Sequence, residues 1–485
     1  MPYRLRVFFV LLLAACAAHR SEEDIAPDPV WLAHEPTAQT FEDPGPVDLD
    51  HDLGLDEVIR LAAERNPRLA GARERWLAAE ERPAQERSLP DPLFAYLPMI
   101  DHIQTRAGPI EEQYQVTQRI PYPGRLAAAG DVAEEEAKVR DLEYRAAIRD
   151  VVADAKVSYA ELLYLRKAEK IVEQNRALAT QLAEKGAALY GGAKEERMDD
   201  VTLFDTLKAQ SQLAQLAYDA ITLEELRHTE EATLNQLLSR APDAPLGSPK
   251  DLAFRPLGVR REALYALALE HRQELEAALH RIAAAEQAER VARLARVPDF
   301  QIGATYTVIG TPPAPVAGGG DNAFGLMFGM TLPIWETRNR ARVAEAEYRR
   351  AAAAHDRQAM VDELMARISK VYFRLENAER LVRLYGESLV PQAERAMEIA
   401  EQWHSTGRDT FGRLLEAQSV WLNFQLAYER ALADYEQMVA RLEQLTGTSL
   451  ARFREKGEGA AGKGATEGKD AEGKKSPEGG DDGKK

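Results

Sequence analysis

The sequence predicts a mainly α chain with a small membrane β part: a duplicated long-helix coiled coil that carries two β-hairpins. Three observations predict it. A stretch occurs twice, Thr202–Ala220 (TLFDTLKAQSQLAQLAYDA) and Thr410–Ala431 (TFGRLLEAQSVWLNFQLAYERA), with Leu-x-Ala-Gln-Ser and Leu-Ala-Tyr in both. No proline interrupts Gly124 to Ala241, where the good helix formers Ala, Leu, Glu, Arg and Gln dominate. Two short windows per copy instead alternate apolar and polar residues.

The copies lie about 210 residues apart, too far for a solenoid unit of roughly 20–50 residues, so half the protein is duplicated. The match extends upstream. Asn66-Pro67-Arg68-Leu69 pairs with Arg272-Gln273-Glu274-Leu275, Pro92-Leu93-Phe94 with Pro298-Asp299-Phe300, Ile120-Pro121 with Leu332-Pro333, and Tyr159-Ala160-Glu161 with Tyr372-Phe373-Arg374. Each copy repeats one order: half-length helix, extended segment, long helix, tip, returning helix.

The chain opens with a targeting segment. Arg4 and Arg6 precede an apolar run, Val7–Ala15, which is shorter than the about 20 residues a helix needs to cross a bilayer and fits a secretory signal over residues 1–15. Leu13-Ala14-Ala15-Cys16 is similar to the lipobox of bacterial lipoproteins, and Ala17 after it favours sorting to an outer membrane. An ordinary signal peptide with an incidental cysteine is the other reading. Cys16 is the only cysteine among 485 residues, so no intrachain disulfide can form. Residues 16–54 read as a lipidated, extended tether, acidic and proline-containing. Residues 448–485 read as a tail, with Glu455–Lys485 too poor in apolar residues to fold. Between them lie a first repeat over 55–241, a linker over 242–258 and a second repeat over 259–447.

Asp56 is placed as the N-cap of a helix running to about Glu86, ended by Pro90 and Pro92. Strands are expected over 93–100 and 113–120, with Asp101–Glu112 as the turn region. In the second copy they are expected over 299–309 and 323–332. There Phe300, Ile302, Ala304, Tyr306 and Val308, and Phe324, Leu326, Phe328, Met330 and Leu332, alternate with small or polar residues. This is the dyad pattern of outer-membrane strands at the right length; a hairpin half-buried on a soluble core gives the same pattern. A helix from Leu126 to about Leu189 would be about 95 Å long. Val201–Leu238 returns, Glu262–Arg296 follows at half the first helix's length, and Arg338–Leu389 runs long, breaks near Pro391 and continues to His404. Gly407 marks the second tip. The last helix carries Trp421, Phe424, Tyr428, Leu432, Tyr435, Val439, Leu442 and Leu445 at close to coiled-coil spacing.

With these pieces in order, residues 55–447 resemble the TolC-type outer-membrane efflux factors. The duplicated half, one strand pair per half, Gln118-x-Ile120-Pro121-x-Pro123-Gly124, and Gly407 ahead of Leu414-Leu415-Glu416-Ala417-Gln418 carry the resemblance. It implies a homotrimeric tube, a twelve-stranded barrel in outer-membrane lipid joined to a helical barrel in the periplasm. That tube would take substrate from an inner-membrane efflux pump through a periplasmic adaptor protein. If the hairpins are membrane strands, physics asks for oligomers as well, because four strands cannot close a barrel and open edges are not tolerated in lipid. The number three comes from the resemblance. So do the adaptor-contacting tips, here Gly191, Gly192, Asp199, Asp200 and Gly407. The family's glycine about ten residues before the Ala-Gln pair is present at Gly407 but replaced by Asp199 in the first copy. Glu416 falls where the family can carry an acidic aperture residue, and Arg413 where a neighbouring position is often acidic. Glu416, Arg413 and Asp409 are therefore placed as a periplasmic gate, against the alternative of solvated tip charges.

Other classes find little support. The formal charge of −17 carries no basic nucleic-acid footprint. There is no GxSxG, P-loop, HExxH or Rossmann glycine pattern, and the nine histidines, His102, His228 and His404 among them, form no metal-spaced cluster. No enzyme activity, cofactor or metal is expected. An exported lipid-anchored coiled-coil scaffold or adaptor subunit is the rival reading, and it would not need hairpins of membrane-crossing length. Leu89-Pro90-Asp91-Pro92 and Ile120-Pro121-Tyr122-Pro123-Gly124 also resemble members that serve heavy-metal exporters.

Overall fold

The computed structural model describes residues 49–190, 200–314, 316–406 and 411–454. Three helices, α1 (Leu55–Arg65), α2 (Pro67–Glu80) and α3 (Arg82–Arg87), lead into strands β1 (Leu93–Thr105) and β2 (Gly108–Ile120). Helix α4 (Pro123–Tyr190) runs away from the sheet and α5 (Asp200–Leu237) returns along its far half. The second copy repeats this with α6 (Arg261–His271), α7 (Gln273–Leu294), β3 (Phe300–Ile309), β4 (Ala323–Met330), α8 (Glu336–Leu384), α9 (Val390–Ser405) and α10 (Phe411–Thr446). At 68 residues α4 is about 100 Å long. Among the described residues, no helix is apolar enough over 18 residues to cross a membrane, a criterion that does not test strands.

Several boundaries differ from the sequence-based expectation, each for a local reason. The helix expected to run unbroken to Glu86 is three helices, because prolines stand at the starts of α2 and α3. Gly54 rather than Asp56 is the N-cap of α1, and Asp56 lies in its first turn. The helix expected over Glu262–Arg296 breaks at Arg272, which is extended (φ −76°, ψ 116°). Asn66 has nearly the same conformation (φ −69°, ψ 116°), so the break belongs to the repeat and not to Pro67 alone. Pro391 does not end its helix: one π-helical turn, Tyr385–Leu389, takes up the missing backbone donor between α8 and α9. The ordered ends also reach further, since Leu49, Leu53 and Leu450, assigned to tether and tail, are fully buried.

The two breaks do the same work. Asn66 Nδ2 donates to Leu237 O (3.1 Å), and Arg272 Nη1 donates to Gln444 O (2.8 Å) and Leu445 O (2.9 Å). In each copy the broken helix thus supplies partners for carbonyls left open at the end of the returning helix. Val58 and Leu264, Ala62 and Ala268, Leu69 and Leu275, and Ala72 and Ala278 are buried at matching positions around the two breaks.

A belt surrounds this level. Leu53 bridges in parallel to Pro249, with Leu53 N donating to Ser248 O and Lys250 N to Leu53 O. The Tyr159 hydroxyl lies 2.9 Å from Leu53 O and 2.8 Å from Lys250 O and shares its proton between them; burial pushes its pKa up to about 12. The two main apolar clusters sit here, one of α1, α4 and the end of α5, the other of α6, α8 and α10.

The α4–α7 contact carries a half-buried ion pair. Arg149, whose side chain is 1% exposed, holds Glu274 with both terminal nitrogens (2.5 and 2.6 Å) and also reaches Asp150 and Gln273. Burial alone would raise the Glu274 carboxyl, but the Arg149 hydrogen bonds and the nearby Arg149 and Arg272 charges outweigh it and hold it below its ordinary value.

Candidate functional site

The four strands form one antiparallel sheet in the order β1-β2-β3-β4, so the two hairpins are joined through β2 and β3. The first hairpin is longer than the sequence suggested. Its strands extend to Thr105 and Gly108, past a register shift between Pro98 and Ile103, so most of the segment expected as a turn is strand. Gly108 makes the tight turn possible: its φ is +135°, and a Cβ there would stand 1.9 Å from Gly310 O. Gly310 N donates to Pro109 O, which seats the second hairpin's loop on the first hairpin's tip.

The register sorts the side chains by face. One face stacks the rows Ile120-Phe300-Met330, Gln118-Ile302-Phe328, Phe94-Val116-Ala304-Leu326 and Tyr96-Tyr114-Tyr306-Phe324. The other carries Arg119-Gln301-Gly329, Thr117-Gly303-Met327, Gln115-Thr305-Gly325 and Gln113-Thr307-Ala323, with Leu93, Ala95 and Leu97 on β1. Apolar residues of the first face stand out from the protein: Phe328 is 79% exposed, Phe324 68% and Leu326 65%. An apolar face of this kind needs cover. The row nearest the hairpin tips is aromatic with polar ends. Tyr96 and Tyr114 donate to Glu112, and Asn322 Nδ2 donates to the Tyr306 hydroxyl (2.7 Å). Tyrosines at one edge of an apolar band are the arrangement of a membrane interface. From the Phe300 row to the Tyr306 row the band spans about 20 Å along the strands, at ~3.3 Å per residue.

Sheet and helices are riveted at Asp299, which is 3% exposed. Its carboxylate accepts from Arg119 Nη2 (2.9 Å), Arg125 Nη1 (2.9 Å) and Tyr122 N (3.1 Å). Arg125 Nη2 also donates to Leu294 O and Val297 O, closing the end of α7, and Thr331 exchanges two hydrogen bonds with Asp299. One residue therefore ties the elements together: its carboxylate joins β2 and the start of α4 to the entrance of β3, and its backbone holds the segment leaving for α8. Sequence reasoning had Pro298-Asp299-Phe300 only as a repeat marker; an acidic residue following proline at a strand entrance, with Arg119 and Arg125 on the other copy's exit, was the available signal.

At the far end, Arg413 and Glu416 lie on the exposed side of the first two turns of α10. Leu414 and Leu415 are buried against Ala209, Leu178 and Ala400. Gln418 is fully buried and its Nε2 donates to Asn175 O on α4 (2.9 Å), so the repeated Ala-Gln docks one copy's returning helix on the other copy's long helix. This role was missed in the sequence, although the repeat displayed the residue. In the first copy Gln210 is exposed, and Leu207 is 55% exposed where Leu415 is buried. Asp200 begins α5, while Cys16, Gly191, Gly192, Asp199, Gly407 and Asp409 lie outside the described residues. Arg413 and Glu416 thus share one exposed side of α10, three residues apart.

Known proteins share this architecture. Residues 264–448 match the family model described as outer membrane efflux protein. The outer membrane protein VceC of Vibrio cholerae superposes with a TM-score of 0.67 at 21% identity, over 82% of this chain and 96% of that one. The MtrE outer membrane channel of Neisseria gonorrhoeae, solved in an open state, gives 0.62 at 18%, over 88% and 99%. The CmeC outer membrane channel of Campylobacter jejuni gives 0.63 at 16%, over 84% and 89%. No curated protein matches the sequence.

Proposed function

We propose, for a chain whose residues 264–448 match the outer membrane efflux protein model and whose fold matches outer-membrane channels over 82–88% of its length, that it is the outer-membrane exit duct of a tripartite efflux system. One observation carries the reading: a four-stranded sheet with one apolar face, an aromatic rim and two unpaired edges, β1 and β4, mounted on a rod of helices. In lipid those edges must pair, and pairing β4 of one copy with β1 of the next closes a barrel. The helices ask for the same closure. α10 of the second copy packs on α4 of the first, whereas α5, among the described residues, leaves Leu207, Tyr218, Ile221 and Leu226 exposed. A homotrimer, the number implied by the family resemblance, gives twelve strands and one continuous conduit.

In this reading substrate passes passively from an inner-membrane pump and a periplasmic adaptor to the exterior, and the cargo is chosen upstream of the tube. The tips, with Gly191, Gly192, Asp199, Asp200 and Gly407, meet the adaptor. Arg413, Glu416 and Asp409 form the resting constriction, where a ring of carboxylates favours cations and a neighbouring arginine pairs with it. Cys16 anchors the tether in outer-membrane lipid. The test is planar-bilayer conductance of the detergent-extracted protein together with its mass. Trimers with small, gated, cation-preferring channels are expected, with larger conductance in Arg413→Ala and Glu416→Ala. A non-conducting monomer or dimer overturns the duct, and unchanged conductance in both variants removes these residues from the gate.

A further inference from the structure

The internal repeat allows a subunit contact to be read from a contact inside one chain. Around the helix breaks, Arg68 precedes buried Leu69 as Glu274 precedes buried Leu275, and Arg75 follows buried Ala72 by three residues as Arg281 follows buried Ala278. On the long helices, buried Val151, Ala155, Leu162 and Leu165 of α4 correspond to buried Leu364, Ile368, Leu375 and Ala378 of α8 at one constant spacing. The same spacing matches Arg149 with Asp362 and Glu143 with Asp356.

Within the chain α7 packs on α4 through two ion pairs, Glu274 with Arg149 (2.5 Å) and Arg281 with Glu143 (2.7 Å). The corresponding contact is α2 on α8. In one chain these two helices lie at opposite edges, with α4 and α7 between them, and Arg68, Arg75, Asp356 and Asp362 are all exposed. We infer that α2 of one subunit docks on α8 of the next through the pairs Arg68–Asp362 and Arg75–Asp356. This deepens the oligomeric duct reading and rests on it.

The polarity is the informative part. Arg75–Asp356 keeps the sign of its internal counterpart, but Arg68–Asp362 reverses it: the acid moves from the broken helix to the long one. At these positions both α2 residues are basic and both α8 residues are acidic. Because α2 and α8 lie at opposite edges, a two-fold contact at one edge would set α2 against α2 or α8 against α8, with like charges opposed. A head-to-tail contact sets base against acid at every junction, the heterologous geometry that closes rings. The antiparallel run of the two helices is respected, since Arg68 and Arg75 are seven residues apart and Asp362 and Asp356 six, the same separations as in the internal pairs.

The test uses the full chain extracted in detergent, with Arg68→Asp, Asp362→Arg and the two combined, each checked for unchanged far-ultraviolet helicity. Each single reversal is expected to weaken subunit association about tenfold per contact, read as loss of trimer on dilution or heating, and the combined reversal to restore it. As a second reading, Arg75→Cys with Asp356→Cys, in a Cys16→Ser background that leaves no other thiol, should give covalent trimers with a short bis-maleimide only when both are present. A stable parent trimer in which the combined reversal is as weak as the singles summed, or in which no cross-link forms, overturns the pairing and leaves the duct standing. A monomeric parent overturns both.

Discussion

Placing a charge on either face of the sheet separates a membrane barrel strand from a hairpin resting on a soluble core. Leu326 lies on the apolar face, paired with Ala304 and 65% exposed, one row below the Tyr306–Phe324 row and two above the Phe300–Met330 row. That is about 7 Å from one rim and ~13 Å from the other along the strand. An arginine facing lipid costs about 2–4 kcal/mol at the midplane and falls to ~0–1 at the interface, so Leu326→Arg should cost roughly 2–3 kcal/mol per subunit. Gly325, the adjacent residue, faces the other way, and nothing lies within 4 Å of a Cβ built there. Gly325→Arg should therefore leave stability within about 0.5 kcal/mol, as for an ordinary exposed position. Inside the barrel it would reduce conductance. The assay is urea unfolding of protein reconstituted in lipid vesicles, followed by tryptophan fluorescence, with conductance measured in parallel. Equal costs for the two substitutions, or a larger cost for Gly325→Arg, would refute the assignment of faces and with it the barrel.

Three further outcomes follow from the helical part. Glu274→Ala leaves the buried Arg149 guanidinium with only Asp150 and Gln273, and because Glu274 is itself about a third exposed the loss should sit near ~2–3 kcal/mol, below the 3–5 typical of fully buried pairs; chemical denaturation checks it, with the exposed Arg367–Glu363 pair as a control of under 1 kcal/mol. The Glu274 carboxyl titrates lower folded than unfolded, so its contribution is present above about pH 4.3 and is lost as pH falls through the depressed folded value. Midpoints measured from pH 6 down to 3 should fall less steeply in Glu274→Ala than in the parent. Tyr159→Phe removes the proton shared by Leu53 O and Lys250 O at a cost of about 1–2 kcal/mol, and limited proteolysis should then cut more readily near residues 49–53.

Much of the architecture was legible because it depends on periodicity and repetition. The absence of proline from Gly124 to Ala241 gives a helix of the observed scale, and alternation in Phe300–Ile309 gives a strand whose faces are those of the structure. Local exceptions were not legible where tertiary contact overrides a residue's usual meaning. Pro391 ordinarily ends a helix, yet a π turn absorbs it; Arg272 is a good helix former, yet it is held extended where it caps α10. Asp101–Glu112 is rich in turn-forming and charged residues, yet pairing with β2 and the seat under Gly310 draw it into strand.

The site divides in the same way. The sequence by itself determined the duplicated order of elements and the apolar face of the sheet, because each is written in spacing along one segment. Only the tertiary structure decided that Asp299 gathers Arg119 and Arg125, that Gln418 reaches Asn175 O, and that Arg149 meets Glu274. These contacts join residues more than a hundred positions apart in sequence. Their hydrogen bonds depend on how helices of the two copies lie against one another, and no local pattern of residue types carries that distance.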